Sequence, residues 1–151
     1  TMEIDNRSSV RIIRTFAAPL EVVWMSWTRA EVLMKWFGSD PNGTVQHARL
    51  DVWPEGTFEV TFRDSDQKEH TCFGAYGVVT KYKKLSFSWQ WRSEPGESEV
   101  RVQFNQFGLY TQIELEHSKL NANSKHDYQV GWNGAFNKLE SLLTGEPVVR
   151  N

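Results

Sequence analysis

The sequence predicts an α+β fold in which a curved antiparallel sheet of about six to seven strands packs around one long C-terminal helix. Three observations indicate this fold: a first strand followed by two short helical segments, a stretch over residues 45–117 with apolar residues at every second position, and a return to helical spacing after residue 124. Period two is typical of half-buried strands, and apolar spacings of three and four residues are typical of amphipathic helices. The apolar face of the sheet and the apolar stripe of the helix each need a partner, so we expect them to pack on each other.

The N-terminal third is predicted to contain the first strand and the two short helices. Residues 10–16 (VRIIRTF) have the composition of a strand. Pro19 suits the first position of a helix, because its missing N–H would be unpaired there in any residue. Thr28 and Glu31 match a capping box that would start the second helix, and Gly38 is expected to end it.

Turn-forming residues divide the central region at hairpin spacing. They occur at residues 54–56, 64–66 and 95–96 and at Gly108. The alternating segments between them predict six further strands in an antiparallel meander with one wet face and one apolar face. The strand over residues 70–80 is partly apolar on both faces, so alternation alone does not set its register.

The last apolar pattern predicts a helix of about five turns. Its apolar stripe consists of Tyr128, Trp132, Ala135, Phe136, Leu139, Leu142 and Leu143. Ser124 and Asp127 resemble an N-terminal cap, and Gly145 and Pro147 are expected to end the helix.

Length and composition predict a single folded domain. We assign residues 1–9 to a disordered or tag-like lead, 10–144 to the domain and 145–151 to a tail of the 151-residue chain. A net charge of -2 leaves no basic surface for nucleic acid or an acidic membrane, and no apolar run is long enough to span a bilayer. We therefore expect no nucleic-acid partner and no membrane. A single cysteine, Cys72, fits a reducing cytoplasm.

The strongest functional indication is the aromatic content of seven Trp, nine Phe and four Tyr. Eight of these rings are predicted to point inward or to lie on the helix stripe, and we predict that they line a ligand pocket: Trp36, Phe58, Phe62, Tyr76, Trp89, Trp91, Trp132 and Phe136. Core filling explains them equally well. Gly131 and Gly134 inside the helix each cost about 1 kcal/mol relative to alanine. Either close packing of the short helices or space kept open for a ligand would compensate.

The candidates for metal binding or catalysis are weak. His70 and Cys72 share a strand face, but no second ligand pair lies at close spacing, so we expect no metal and an inert buried thiol. His117 and His126 could meet at a cavity mouth as an acid–base pair, and a pair of surface histidines that anchor loops is the simpler alternative.

The remaining charged candidates are four glutamates and one arginine. The glutamates fall opposite the apolar positions and are expected to face water: Glu59, Glu99, Glu114 and Glu116. Arg14 shares a strand face with Ile12 and Phe16. If that face is inward, its guanidinium needs a partner, either a protein carboxylate or a ligand. We assign no catalytic residue and no cofactor.

The segments AAPLEVVWMSWTRAEVLMKWFG, WPEGTFEVTFRD, FGAYGVV with KLSFSW, SEVRVQF and HDYQVGWNGAFNKLESLL occur in that order over residues 10–144. Together they resemble the activator-of-Hsp-ATPase homologue (AHSA-like) family of the SRPBCC superfamily, whose START-like, Bet v allergen-like architecture is the helix-grip fold. The resemblance implies a deep cavity between the sheet and the C-terminal helix. Many relatives bind hydrophobic small molecules there, and a few carry out cyclase or hydrolase chemistry.

Three functions follow as hypotheses. The first is binding of a hydrophobic small molecule in that cavity, by a cytoplasmic protein that could form a homodimer. The alternatives are an enzyme of the cyclase or hydrolase type using the same cavity and a module that binds a chaperone or another protein.

The eukaryotic co-chaperones of the family carry a separate N-terminal domain that engages the chaperone. We expect no such domain here, so chaperone activation is not expected of this chain alone.

Overall fold

The structure is a computed structural model that describes residues 7–145. Its elements, in chain order, are strand β1 (Arg7–Phe16), helices α1 (Leu20–Thr28) and α2 (Ala30–Leu33), strands β2 (Thr44–Leu50), β3 (Thr57–Arg63), β4 (Glu69–Thr80), β5 (Lys84–Trp91), β6 (Glu97–Phe107) and β7 (Tyr110–Asn121), and helix α3 (Lys125–Thr144). One turn of 3-10 helix, Ala122–Ser124, leads into α3.

The strands confirm the predicted helix-grip architecture. They form one curved antiparallel sheet in the order β1-β7-β6-β5-β4-β3-β2. Strands β2 to β7 each pair with their neighbours along the chain, and β1 completes the sheet beside β7. β1 begins at Arg7, inside the segment assigned to the lead, because Arg7 and Ser8 pair with Asn121 and Leu120. Two segments lie outside the described residues: the rest of that lead, and the tail beyond Gly145, which includes Pro147.

The strand register shifts at three places, one of them between Ser8 and Val10 of β1, and the other two are β-bulges where the alternation of apolar residues is weak. One lies between Tyr76 and Val79 in β4, the strand whose two faces both appear apolar in sequence. The other lies between Val45 and His47 in β2. A bulge inserts one extra residue and reverses the facing of the residues beyond it, so the apolar positions of a bulged strand no longer keep a strict period of two.

The predicted N-terminal caps of the second short helix and of α3 are wrong. Thr28 does not start a helix but ends α1, where its hydroxyl donates to the carbonyl of Trp24 at 2.9 Å. Arg29 is extended between the two short helices, and no side chain caps α2. At α3 the side chain of Ser124 makes no capping hydrogen bond, because the preceding 3-10 turn is capped by Asn121 instead. The C-terminal prediction is confirmed, since Gly145 has a φ of 77° and ends α3.

Helix α3 packs on the inner face of the sheet and lies closest to β1. Its buried residues are Trp132, Ala135, Phe136 and Leu139, whereas Leu142 of the predicted stripe is 37% exposed. Arg14 of β1 ties the helix down. Its guanidinium donates to the side-chain oxygens of Asn137 at 2.7 Å and Asn133 at 3.1 Å, and Glu140 lies 3.8 Å away. The partner of Arg14 is therefore the protein, mainly through two amide oxygens.

The two glycines of α3 are explained by close packing. An ideal Cβ on Gly134 would lie 2.8 Å from the carbonyl oxygen of Ser39, and one on Gly131 would lie 3.0 Å from the Cβ of Ser39. Ser39 belongs to the loop between α2 and β2, which therefore rests directly on the helix. The absence of two side chains lets the loop approach this closely.

We predict that Gly134→Ala destabilises the protein by about 1–3 kcal/mol, even though alanine is the better helix former by about 1 kcal/mol. The reason is that the new methyl group collides with a backbone oxygen, which cannot rotate away. Urea unfolding measures the change. Gly131→Ala is the matched control with a smaller expected loss, because its nearest neighbour is a side-chain atom. A gain in stability for Gly134→Ala would contradict the proposed contact.

Candidate ligand-binding cleft

A cleft of about 470 Å³ lies between the sheet and α3. Its walls come from β3, β4 and β5, from the loop between α2 and β2, from the turn after β5 and from one face of α3. Six Phe, Tyr or Trp rings line it: Phe37, Phe62, Trp89, Trp91, Tyr128 and Trp132. Its polar side chains include Asp40, Arg63, Asp64, His70, Glu94, Asp127, Tyr128 and Lys138.

Four of the eight predicted pocket residues line this cleft: Phe62, Trp89, Trp91 and Trp132. The other four are buried in the core outside its lining. Phe58 and Tyr76 face a separate void of about 10 Å³, which is no larger than a water site. Trp36 donates its indole N–H to the carbonyl of Ser26 at 2.9 Å, and Phe136 packs edge-on against Phe16.

Several lining residues were not predicted from the sequence, and Phe37, Tyr128 and Lys138 are among them. Tyr128 lies on the predicted helix stripe and was considered only as part of the core. Lys138 follows Ala135 by three positions and Gly131 by seven, which places all three on one face of a helix. That spacing could have revealed the lysine, but a lysine in an amphipathic helix is ordinarily assigned to the solvent face.

His117 is fully buried, whereas His126 is exposed, so the two histidines do not form a pair. The indole N–H of Trp132 donates to Nδ1 of His117 at 3.0 Å. Nε2 therefore carries the proton and donates to the hydroxyl of Ser98 at 2.7 Å. Ser98 in turn faces the carbonyl of Trp89 at 3.4 Å. Both histidine nitrogens are used, so the predicted acid–base pair is wrong, and so is the alternative of two surface histidines.

Burial holds this histidine in its neutral form. Desolvation lowers the pKa of His117 from 6.5 to about 3. A neutral imidazole with a fixed tautomer can accept from Trp132 and donate to Ser98 at the same time. The chain of hydrogen bonds thus joins α3 to β7 and β6 within the core and sets the position of one cleft ring.

The other sequence candidates take structural roles. Nε2 of His70 lies 2.9 Å from a carboxylate oxygen of Asp64, and burial raises the pKa of the Cys72 thiol above its ordinary value. The described residues contain no group of three or more His, Cys, Asp or Glu side chains placed to hold a metal. The glutamates lie on the outer face, where Glu59 pairs with Arg92 and Glu114 with Arg11.

Tyr128 and Trp91 close one end of the cleft. The indole N–H of Trp91 donates to the Tyr128 hydroxyl at 2.8 Å. Burial raises the pKa of Tyr128, and this hydrogen bond opposes the rise. The indole N–H of Trp89 also faces the hydroxyl and lowers its pKa, but it makes no hydrogen bond of normal geometry with any described residue. Both indoles of this part of the lining therefore point their N–H groups toward the one hydroxyl of Tyr128.

Comparison with known proteins places this arrangement in a family. The family model described as "Activator of Hsp90 ATPase homolog 1-like protein" matches residues 17–144. The chain belongs to this AHSA1 family. A search of curated proteins finds no match.

Solved structures show the same fold as this AHSA1 family member. The AHSA1 protein of Silicibacter pomeroyi is 20% identical with a TM-score of 0.82, over 93% of this chain and 100% of that one. Protein NE0264 of Nitrosomonas europaea is 21% identical with a TM-score of 0.78, over 91% and 95%. DynU16, from the dynemicin biosynthetic locus, is 20% identical with a TM-score of 0.76, over 97% of this chain and 51% of its own. Among the described residues, no helix combines the length and apolar character needed to cross a bilayer.

We predict that His117 makes this AHSA1 family member less stable as the pH is lowered. Between about pH 6.5 and 3 the unfolded chain binds a proton at this histidine that the folded chain does not bind. The free energy of unfolding then decreases as the pH falls, by up to about 1.4 kcal/mol per pH unit, whereas above about pH 6.5 the contribution is constant. Urea unfolding of the wild type and His117→Gln at a series of pH values measures the difference.

The His117→Gln variant should be less stable at neutral pH and should lose this part of the pH dependence. The same substitution at exposed His126 is the matched control. Parallel pH profiles for the wild type and His117→Gln would show that His117 is protonated equally in the folded and unfolded states, which would contradict its neutral role in the core.

Proposed function

We propose that this chain binds a hydrophobic small molecule in the cleft between the sheet and α3, in the cytoplasm. The observation that carries the proposal is the cleft itself. Its volume of about 470 Å³ falls within the range of about 300–1,000 Å³ that ligand pockets occupy. The void beside Phe58 and Tyr76, by contrast, measures only about 10 Å³.

The chemistry of the walls supports an apolar, ring-containing ligand. Phe37 and Phe62 are stacked with their planes 24° apart, and Trp89 and Trp91 meet edge to face at 5.5 Å. Such an assembly presents both ring faces and ring edges, and aromatic ligands interact favourably with each. DynU16 has the same fold and is encoded in a biosynthetic locus, which is in keeping with a role in handling small molecules.

The enzyme alternative has one observation in its favour. Asp64 and His70 form a pair at the cleft wall with 2.9 Å between the carboxylate and the imidazole, an arrangement in which a carboxylate can orient a general base. The residues proposed from the sequence give it no support, because His117 is enclosed in the core and Arg14 is bound to α3. Binding is therefore the stronger proposal.

We predict that a ligand of the cleft raises the melting temperature of the protein. At one hundred times its dissociation constant it adds about 2.7 kcal/mol, which corresponds to about 5–11 °C for a domain of this size. A thermal-shift screen with fatty acids, sterols, flavonoids and aromatic polyketides tests this. Trp91→Leu should reduce the shift because Trp91 lines the cleft.

Phe58→Leu is the matched control for the screen. Phe58 is buried outside the cleft lining, so its loss should lower the melting temperature of the free protein without reducing the ligand-induced shift. If no compound class shifts the melting temperature, the proposal is wrong. If both variants lose the shift equally, the ligand is not held by the cleft rings.

A protein-binding role, including a homodimer, is the third candidate. The hairpin tip between β6 and β7 exposes Phe107 by 57%, Leu109 by 85% and Tyr110 by 53%. Apolar side chains this exposed are a common feature of docking surfaces. We predict that light scattering gives the mass of a dimer and that Leu109→Ser gives that of a monomer. A monomer for the wild type would rule out a stable homodimer.

A further inference from the structure

Lys138 differs from the other cation in the cleft lining. Arg63 also lines the cleft, but its guanidinium is paired with Glu69 at 2.6 Å. No carboxylate of the described residues lies within 4.0 Å of the Lys138 ammonium. Its one hydrogen bond within this part of the chain goes to the main-chain carbonyl of Asp40 at 3.0 Å. An ammonium has three donors, so two of them are available to another acceptor.

The two acids nearest to Lys138 are committed to other groups. One carboxylate oxygen of Asp40 accepts from the backbone of Asn42, and the other accepts from the backbone and hydroxyl of Ser65. These hydrogen bonds, led by the one from the Ser65 backbone, lower the pKa of Asp40. Asp64 is bound to His70. Both acids attract Lys138 through space without neutralising it by contact.

The remaining acids of the lining lie at the far end of the cleft. Asp127 precedes Lys138 by eleven positions on the same helix, a distance of about 16 Å along its axis. The charge of Glu94 acts on Tyr128, which is next to Asp127, and raises its pKa, whereas the acids that act on Lys138 are Asp40 and Asp64. An anion beside Lys138 is thus well removed from both carboxylates.

We propose that the ligand of the cleft is an aromatic acid whose anionic group pairs with Lys138, while its rings lie on the aromatic wall. This inference rests on the proposed binding function and adds the chemical class of the ligand. The ammonium is next to the wall, since an ideal Cβ on Gly38 would lie 3.8 Å from the Lys138 nitrogen and 2.9 Å from the ring of Phe62. Charge and rings can therefore be contacted by one molecule.

One further observation agrees with an anionic ligand. Desolvation by burial lowers the pKa of Lys138 to about 8, so the protein holds this cation in surroundings that do not fully stabilise its charge. An anion would restore that stabilisation.

A pair of fluorescent dyes of nearly equal shape tests the proposal. Anilinonaphthalenesulfonate (ANS) carries a sulfonate anion, and N-phenylnaphthylamine (NPN) is its neutral counterpart. Both are titrated into the full chain as wild type, Lys138→Met and Lys138→Arg. We expect Lys138→Met to weaken ANS binding by about tenfold or more, a loss of at least about 1.4 kcal/mol, while NPN binding changes little.

The conservative and surface variants separate charge from shape. Lys138→Arg should retain most of the ANS affinity, because it keeps the positive charge. Lys125→Met, an exposed position on the same helix, should leave both dyes unaffected and so controls for net charge. Undiminished NPN binding and a cooperative melt show that Lys138→Met is folded, which matters because ANS also binds molten states.

The pH dependence gives an independent measurement. ANS affinity for the wild type should fall between about pH 8 and 10 as Lys138 loses its proton, whereas it should stay constant for Lys138→Arg, whose charge persists above about pH 12. The hydrogen bonds to Asp40 lower the pKa of that facing acid, and burial raises the pKa values of Tyr128 and Cys72. The other titratable side chains that line this part of the cleft are Arg63, Asp64 and His70.

The outcomes distinguish this inference from the function on which it rests. If both dyes bind and Lys138→Met weakens ANS alone, the inference is supported. If both bind and the variant weakens both equally or neither, the acid class is wrong and the binding function stands. If neither dye binds the wild type, the proposed cleft function fails and the inference fails with it.

Discussion

Helix α3 supplies the apolar surface that covers the inner face of the sheet, and its contacts fix the shape of the space beneath it. Sheet and helix each expose an apolar surface that would be unfavourable in water, and burying one against the other satisfies both. Phe136 and Leu139 are completely buried in this contact. The position of the sheet and that of the helix therefore each depend on the apolar contact between them.

Polar contacts decide where along the sheet the helix sits. Arg14 holds it at β1 through two amide oxygens, and His117 holds it at β7 through the indole of Trp132. Both contacts lie near the same edge of the sheet, because β1 is the edge strand and β7 is its neighbour. The glycines of α3 admit the loop at Ser39 on the other side. The cleft is what remains between these supports, next to β3, β4 and β5.

His117, which contacts α3, and Lys138, which belongs to it, differ in how their hydrogen-bonding groups are satisfied. His117 has partners for both nitrogens and is neutral, so it contributes order to the core and no free chemistry. Lys138 has a single carbonyl partner among the described residues and retains a charge at neutral pH. Of these two groups, Lys138 is therefore the one that keeps unused hydrogen-bond donors in the cleft lining.

The sequence by itself determined the elements of this protein, because apolar periodicity follows from the local geometry of strands and helices. It predicted seven strands, two short helices and the long α3, together with the termination of α3 at Gly145 and the inward facing of the aromatic set. The caps at Thr28 and Ser124 were mispredicted. A four-residue capping motif also occurs at the end of a helix or in the turn before one, so the motif alone does not identify a helix start. Only the tertiary structure decided which rings line a cleft and which fill the core. Phe58 and Phe62 alternate on the same face of β3, but the position of α3 over a curved sheet places Phe62 in the cleft lining and Phe58 outside it. The pairing of His117 with Trp132 and the placement of Lys138 in the cleft depend in the same way on contacts between segments distant in sequence, and no local pattern encodes these.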